Sequence, residues 1–284
     1  MAARLRRERA HGRNLIRGCL MLATAAVVLV MERRHRARPY VEPQSTHTAR
    51  NLAIAGLAAV TVHLLEAPVI VPLARTVTRR RWGLSHALGG PPWLRGALTV
   101  LLLDYTLYFW HIVVHRVPWL WRFHLVHHVD LDLDATTGLR FHAGELAASI
   151  PWRATQVIVL GVSPTVLTVW QSLTLASVLF HHSNTRLSDR MERALSWIVT
   201  TPRMHAIHHS VNPAQLQSNF SSGLAVWDRL HRTARFDAAA GDVTVGVPGF
   251  LDPDEVSLPR VLGLPFEAIV SAADATPAPS VGRS

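Results

Sequence analysis

The chain has 284 residues, of which 49% are hydrophobic and 17% charged, and its mean hydropathy is +0.19. A charged fraction below the roughly 25% of soluble domains excludes a disordered or fibrous chain and points to a membrane protein. The single Cys19 excludes an internal disulfide framework and any cysteine-based metal site. The net charge is +10, and all 29 basic residues are Arg. They are scattered through every polar segment, often beside apolar runs. This pattern reads as anchoring at anionic lipid headgroups rather than as a nucleic-acid surface, so no nucleic-acid partner is expected.

Residues 1–17 are basic and lead into an apolar run, Gly18 to Met31. Glu32-Arg33-Arg34-His35-Arg36 follows without a small-residue cleavage site, so the run reads as an uncleaved anchor rather than a signal peptide. The second run, Leu52 to Ala74, would be about 34 Å long as a helix, enough for a hydrocarbon core of about 30 Å. His63 and Glu66 lie three apart within it and are expected to form a mutually satisfied polar pair. Gly83 to Pro92 carries a Gly-Gly-Pro-Pro loop signal. The third run, Gly96 to His115, carries Asp104 near its middle and ends on His111 and His115, at a membrane–water boundary.

The fourth apolar region, Leu146 to Phe180, is too long for one crossing. Gly161-Val162-Ser163-Pro164 breaks it near its midpoint, as a helical hairpin requires. Beyond His209 the chain turns polar, and a flexible Ala/Pro/Ser segment is expected from about Ala272. The expected fold is all-α and integral to the membrane, with about four transmembrane helices, including the hairpin at 146–180, under a histidine-rich di-metal cap. Three segments result: an N-terminal basic tail with anchor helices (1–95), a histidine-box domain (96–235) and a polar tail (236–284). Arg counts flanking the first two runs are nearly balanced and do not set an orientation.

Of the 17 histidines, 11 fall between His111 and His209. His111 and His115 are spaced i, i+4 and share a helical face. His124, His127 and His128 form an H-x-x-H-H box, and His205, His208 and His209 repeat it. His142 stands in Arg140-Phe141-His142-Ala143-Gly144-Glu145, and His181-His182 precedes Ser183-Asn184. Neutral imidazole is a strong ligand for Zn, Fe, Cu and Ni. The eight boxed histidines, with His142 and one of His181/His182 (His182 is taken), make ten candidate ligands. Ten are too many for one ion and would be used fully by two. His11, His35, His47, His63, His86 and His231 are set aside as non-ligands.

The boxes resemble those of the fatty acid hydroxylase/sterol desaturase superfamily, from about Asp104 to Thr233. The similarity includes Asp104-Tyr105-Thr106-Leu107-Tyr108-Phe109-Trp110-His111, Leu120-Trp121-Arg122-Phe123-His124, Thr201-Pro202-Arg203-Met204-His205, and the later Asn219-Phe220 and Trp227-Asp228-Arg229-Leu230. The resemblance implies a non-haem di-iron centre, with zinc able to occupy it in purified protein, and O2 as co-substrate. It also implies a lipid substrate (fatty acyl, sterol-like or carotenoid) and a catalytic role for His111, His115, His124, His127, His128, His205, His208 and His209. Hydroxylation is favoured over desaturation, and a cytoplasmic face is expected for the histidines. No cytochrome- or ferredoxin-like domain fits in the remaining length, so a separate ferredoxin- or cytochrome-like electron donor is expected. The sequence departs from the family pattern at Gln217-Ser218-Asn219-Phe220-Ser221, where Asp-x-Asn-(Phe/Tyr)-Gly is common, and at His231-Arg232-Thr233, where Phe-Gly-Thr usually stands.

Six carboxylates invite four separate expectations. Asp104 is placed either as a hydrogen-bond partner of a ligand on another helix, or as a salt bridge or protonated helix–helix contact. Glu145, three after His142, is read as supporting a ligand rather than being one. Asp130, Asp132 and Asp134 read as a solvated acidic loop, and Asp228 as an ion-pair partner of Arg229 or Arg232. No H-E-x-x-H, phosphate loop or G-x-S-x-G is present. The rival functions are a non-catalytic metal-binding or metal-transport protein, and a scaffold with a structural metal. A transporter should string ionisable residues along several spans, whereas these histidines cluster at helix ends.

Overall fold

The computed structural model describes residues 2–267, with side chains from residue 15. The segment expected to be flexible from Ala272 lies outside them. Eight helices carry the architecture: α1 (Ala2–Arg34), α2 (Gln44–Thr61), α3 (Ala67–Arg80), α4 (Pro92–Arg116), α5 (Pro118–His128), α6 (Ala143–Leu160), α7 (Pro164–His182) and α8 (Pro202–His208). Among the described residues there are isolated β-bridges but no sheet.

Three stretches are long and apolar enough to cross a membrane: Leu15–Arg34, Gln44–Ala87 and Pro92–Arg116. Their outward faces carry bare apolar side chains such as Leu22, Val27, Leu57, Leu64 and Val69. A soluble protein rarely exposes so continuous an apolar surface, and here it faces lipid. Exposed Trp93 and Trp119 flank α4 at its two ends, where amphipathic rings sit at a membrane–water interface. The expected hairpin forms as α6 and α7, although its arms, 18 and 19 residues long, are shorter than the span of α4.

Local chemistry explains the hairpin turn. Gly161 caps α6 in the left-handed region, at φ 74°, which glycine adopts freely. Ser163 caps α7 by accepting from the Val166 N–H, and Pro164 occupies the first turn, where its missing donor costs nothing. Beneath the turn, α3, α4, α6 and α7 share a core of Ile70, Val77, Leu103, Val157, Leu167 and Trp170.

Between α2 and α3 the helix takes one π turn, Val62–Glu66. Pro68 lacks the N–H that the Leu64 carbonyl would otherwise receive, which accounts for the local unwinding. The turn separates two residues expected to pair. His63 faces outward, whereas Glu66 is buried and lies 3.6 Å from Arg153 of α6 in an ion pair. The expected His63–Glu66 pair is therefore corrected to Glu66–Arg153.

Candidate metal centre

The three histidine boxes sit at the cap ends of α4, α5 and α8, and α7 brings His182 to the same place. One nitrogen from each of His111, His115, His124, His128 and His208 lies within 4.8 Å of all the others in that group. His127, His182, His205 and His209 form a second group by the same measure. All nine are buried. The groups abut through His128 and His209, whose rings stack at 4.2 Å.

The separations within each group fit ligands of one ion. His208 Nε2 is 3.1 Å from His111 Nε2. His182 Nε2 is 3.1 Å from His127 Nε2 and 2.9 Å from His205 Nε2. Two nitrogens each about 2.1 Å from a metal and at right angles to each other stand about 3 Å apart. The ring orientations fit as well. Nδ1 of His111 lies 2.7 Å from the Phe220 carbonyl, that of His208 2.7 Å from Ser218 O, and that of His182 2.8 Å from Val178 O. Nδ1 of His124 lies 3.0 Å from Glu145 Oε1. A carbonyl or carboxylate can only accept, so each Nδ1 carries the proton and each Nε2 turns a lone pair inward. His115, His128 and His124 keep buried nitrogens without any protein partner, a costly arrangement unless something binds there.

Electrostatics favour the same protonation state. Burial, reinforced by neighbouring imidazoles, holds His127, His128, His205 and His209 well below the usual histidine range. Burial pushes His208 down to about 3, against the opposing hydrogen bond to Ser218. Neutral imidazole is the form that binds metal.

Of the ten candidate ligands, His142 is not brought into either group. Its Nδ1 accepts from the Gly144 N–H at 2.9 Å, capping α6, and its ring packs against Phe123 and Phe266. His181 contacts the rings of His182 and His205 but belongs to neither group. Glu145 stands behind His124 as a hydrogen-bond partner.

Two carboxylates support the loop that holds the rings. Asp104 accepts from the Leu224 N–H at 3.0 Å and from Trp227 Nε1 at 2.7 Å, so it fastens the segment after Phe220 to α4. Asp228 makes no ion pair with Arg229 or Arg232. It is buried and accepts from the Phe220 and Ser221 N–H groups and from the Thr233 hydroxyl, because its neighbouring guanidinium turns away to stack over Trp197. Between Ser218 and Phe220, Asn219 adopts φ 51° and locks the loop by donating to the Met204 and Arg235 carbonyls.

The expected solvated acidic loop is corrected too. Asp130, Asp132 and Asp134 are buried. Asp130 accepts from Arg140, Asn51 and Thr137 and contacts His47 at 3.0 Å. Burial alone would raise its carboxyl; Arg140 first, then His47 and Arg50, hold it below the usual carboxylate range. The reason for the burial is the segment 38–51, which folds over the loop and supplies Val41 and Glu42 N–H groups to Asp132. Arg140 links this network to the histidine groups, since its own carbonyl lies 3.3 Å from His127 Nδ1.

A cavity of about 370 Å³ touches both groups through His111, His124, His127, His182 and His205. It continues between α2, α6 and α7 past Ala58, Leu146 and Leu175 to Glu66, Arg153 and Trp170. Its size falls within the range of small-molecule sites.

Residues 96–233 match the fatty acid hydroxylase family. Alkylglycerol monooxygenase of Xenopus tropicalis is 31% identical over 136 residues, covering 48% of this chain and 29% of that protein. Ornithine lipid hydroxylase OlsE of Rhizobium tropici is 29% identical over 153 residues, 54% of this chain and 45% of that protein. A cholesterol 25-hydroxylase-like protein of Danio rerio is 31% identical over 151 residues, 50% of this chain and 55% of that protein. The chain thus spans about half or less of the length of these relatives. No solved structure matches it. Residues 96–233, just under half of the chain, thus carry the fatty acid hydroxylase domain, and these relatives support placement in the fatty acid hydroxylase/sterol desaturase superfamily.

Proposed function

We propose that this protein is a multi-pass membrane, O2-dependent lipid hydroxylase whose two histidine groups each hold one iron ion. The observation that carries the proposal is the pair of abutting, buried, all-imidazole groups opening onto one largely apolar cavity. Imidazole also suits zinc, copper and nickel; iron and O2 come from the family. Bound iron would supply oxygen activation and attack on an unactivated C–H bond. The chain's own residues hold the ligands neutral, exclude bulk water and align a lipid chain in the cavity. A substrate already dissolved in the bilayer reaches such a cavity without crossing water. Hydroxylation is preferred to desaturation. Electrons come from a separate ferredoxin- or cytochrome-like donor, and the histidine cap faces the cytoplasm. Residues 96–235 form the catalytic unit. The clustering of the histidines at one end of the bundle weighs against a transport pathway, which would run along the spans.

The test is metal content by mass spectrometry on detergent-purified protein, beside a His127→Ala/His208→Ala variant that removes one ligand from each group. About two irons per chain, lost in the variant, is the expected result, followed by O2-dependent formation of a hydroxylated lipid. Zinc at the same ratio calls for iron reconstitution under reducing conditions. Folded wild-type protein that binds no metal tightly would overturn the proposal.

A further inference from the structure

The far end of the cavity carries polar groups that the metal centre does not use. Arg153 lies 3.6 Å from Glu66, within ion-pair range but beyond hydrogen-bond reach. Its guanidinium stacks on Trp170 at 4.8 Å. The buried Nε of Arg153 and the buried indole N–H of Trp170 have no hydrogen-bond partner. All three residues line the cavity. In a membrane interior such groups are costly unless they are satisfied, and by default they mark a functional site. The π turn that ends at Glu66 points the same way. It rotates this carboxylate into the cavity while His63 faces out, and π turns recur at functional sites.

We infer that Glu66, Arg153 and Trp170 form a receptor for the polar end of the lipid, and that the group they take is neutral and both donates and accepts hydrogen bonds, as a lipid alcohol does. This deepens the proposed function and rests on it for the reaction. The charge arrangement selects the class. A carboxylate would meet Glu66, and an ammonium would meet Arg153. A hydroxyl donates to Glu66 and accepts from Arg153 or Trp170. Position sets the reach. Glu145, which supports His124, and Arg153 are eight residues apart on α6 and both line the cavity, a separation of about 12 Å along the helix. A hydroxyl held at Arg153 therefore places a carbon well down the chain beside the histidines, leaving the polar end untouched.

The test uses full-length protein loaded with zinc, so that no turnover consumes the probe. Binding of radiolabelled 1-octadecanol in detergent micelles is measured, with octadecane and octadecanoate as competitors. Wild-type protein should bind the alcohol at least about tenfold more tightly than either competitor, the scale of one charge-assisted hydrogen bond. Arg153→Met keeps the stem and should lower alcohol binding to the level of octadecane without changing octadecane itself. Glu66→Gln removes the like charge and should raise octadecanoate binding, an effect that no general loosening of the fold would produce. Equal binding of all three probes by the wild type overturns the inference. So does an unaltered alcohol preference in Arg153→Met, or, if that variant does not fold, unaltered octadecanoate binding in Glu66→Gln. Product formation by the iron-loaded wild type is scored separately. Selective alcohol binding without any hydroxylated product would sink the proposed reaction and leave the receptor standing; product without selectivity would do the reverse.

Discussion

His111 and His208 are 97 residues apart in sequence, yet their Nε2 atoms lie 3.1 Å from each other. Their outer nitrogens are held by two carbonyls of one short loop, Phe220 and Ser218. That loop is itself fixed from behind by the carboxylate of Asp228. The five-histidine group thus depends on a residue that never approaches it directly.

Asp228→Ala should therefore act selectively. It leaves two buried N–H groups unpaired, at a cost of about 1–3 kcal/mol each, and releases the carbonyl that orients His111. Metal analysis should show loss of about one ion per chain, from the five-histidine group, with the second retained. His182→Ala should give the complementary result. Loss of both ions together in each variant would show that the groups do not bind independently.

Glu145 offers a graded test of ring orientation through His124. Outer partners of metal-bound histidines typically carry about 10–100-fold in metal affinity. Glu145→Ala should show a loss of that size in chelator competition, and Glu145→Gln, which keeps an acceptor, a smaller one. Identical losses in both variants would mean that charge, rather than the hydrogen bond, is what His124 requires.

Arg140 should matter for stability. Its guanidinium is fully buried and donates to Val126 O, Asn51 and Asp130. Removing one side of a buried ion pair costs about 3–5 kcal/mol, so Arg140→Met should lower the thermal unfolding temperature clearly. Because the Arg140 carbonyl faces His127, retention of metal by the four-histidine group should fall too. An unchanged unfolding temperature would refute the buried network as a stabilising element.

The metal-free protein should lose stability on acidification. The folded histidines have depressed proton affinity, with His208 at about 3, whereas unfolded histidine titrates near about 6.5. The unfolded chain therefore takes up more protons below that pH, and stability falls as pH drops through it toward about 3. Each such histidine contributes up to about 1.4 kcal/mol per pH unit. Thermal unfolding of chelator-treated protein at pH 7.5 and pH 5.5 checks this, and a flat profile would mean that the rings are already protonated or hydrated in the fold.

The parts legible in the sequence were those written in local spacing. Histidines at i, i+3 and i+4 announce a shared helical face, and Gly161-Val162-Ser163-Pro164 announces the hairpin. What escaped depends on partners far along the chain. Asp130, Asp132 and Asp134 look like a solvated loop until His47, Arg50 and Asn51, some eighty residues earlier, fold over them. Asp228 sits beside two arginines and pairs with backbone N–H groups instead. His142 has the composition of a ligand site around it, but as the residue preceding α6 its nitrogen turns to the Gly144 N–H. The π turn at Val62–Glu66 has no signature beyond Pro68, so the pairing of Glu66 with Arg153 was out of reach.

The way the two groups divide the chain also sets when they can be completed during synthesis. Four members of the first group lie between His111 and His128, but its fifth is His208; the second group draws only His127 from before the hairpin and closes with His209. Neither is whole until the ribosome has passed both arms of that hairpin. Completion of each group is then a late event of biogenesis, one that seals an inserted bundle rather than nucleating it, and nascent chains truncated before residue 205, which keep only His127 and His182 of the second group, should leave the membrane-integration machinery without that group's ion.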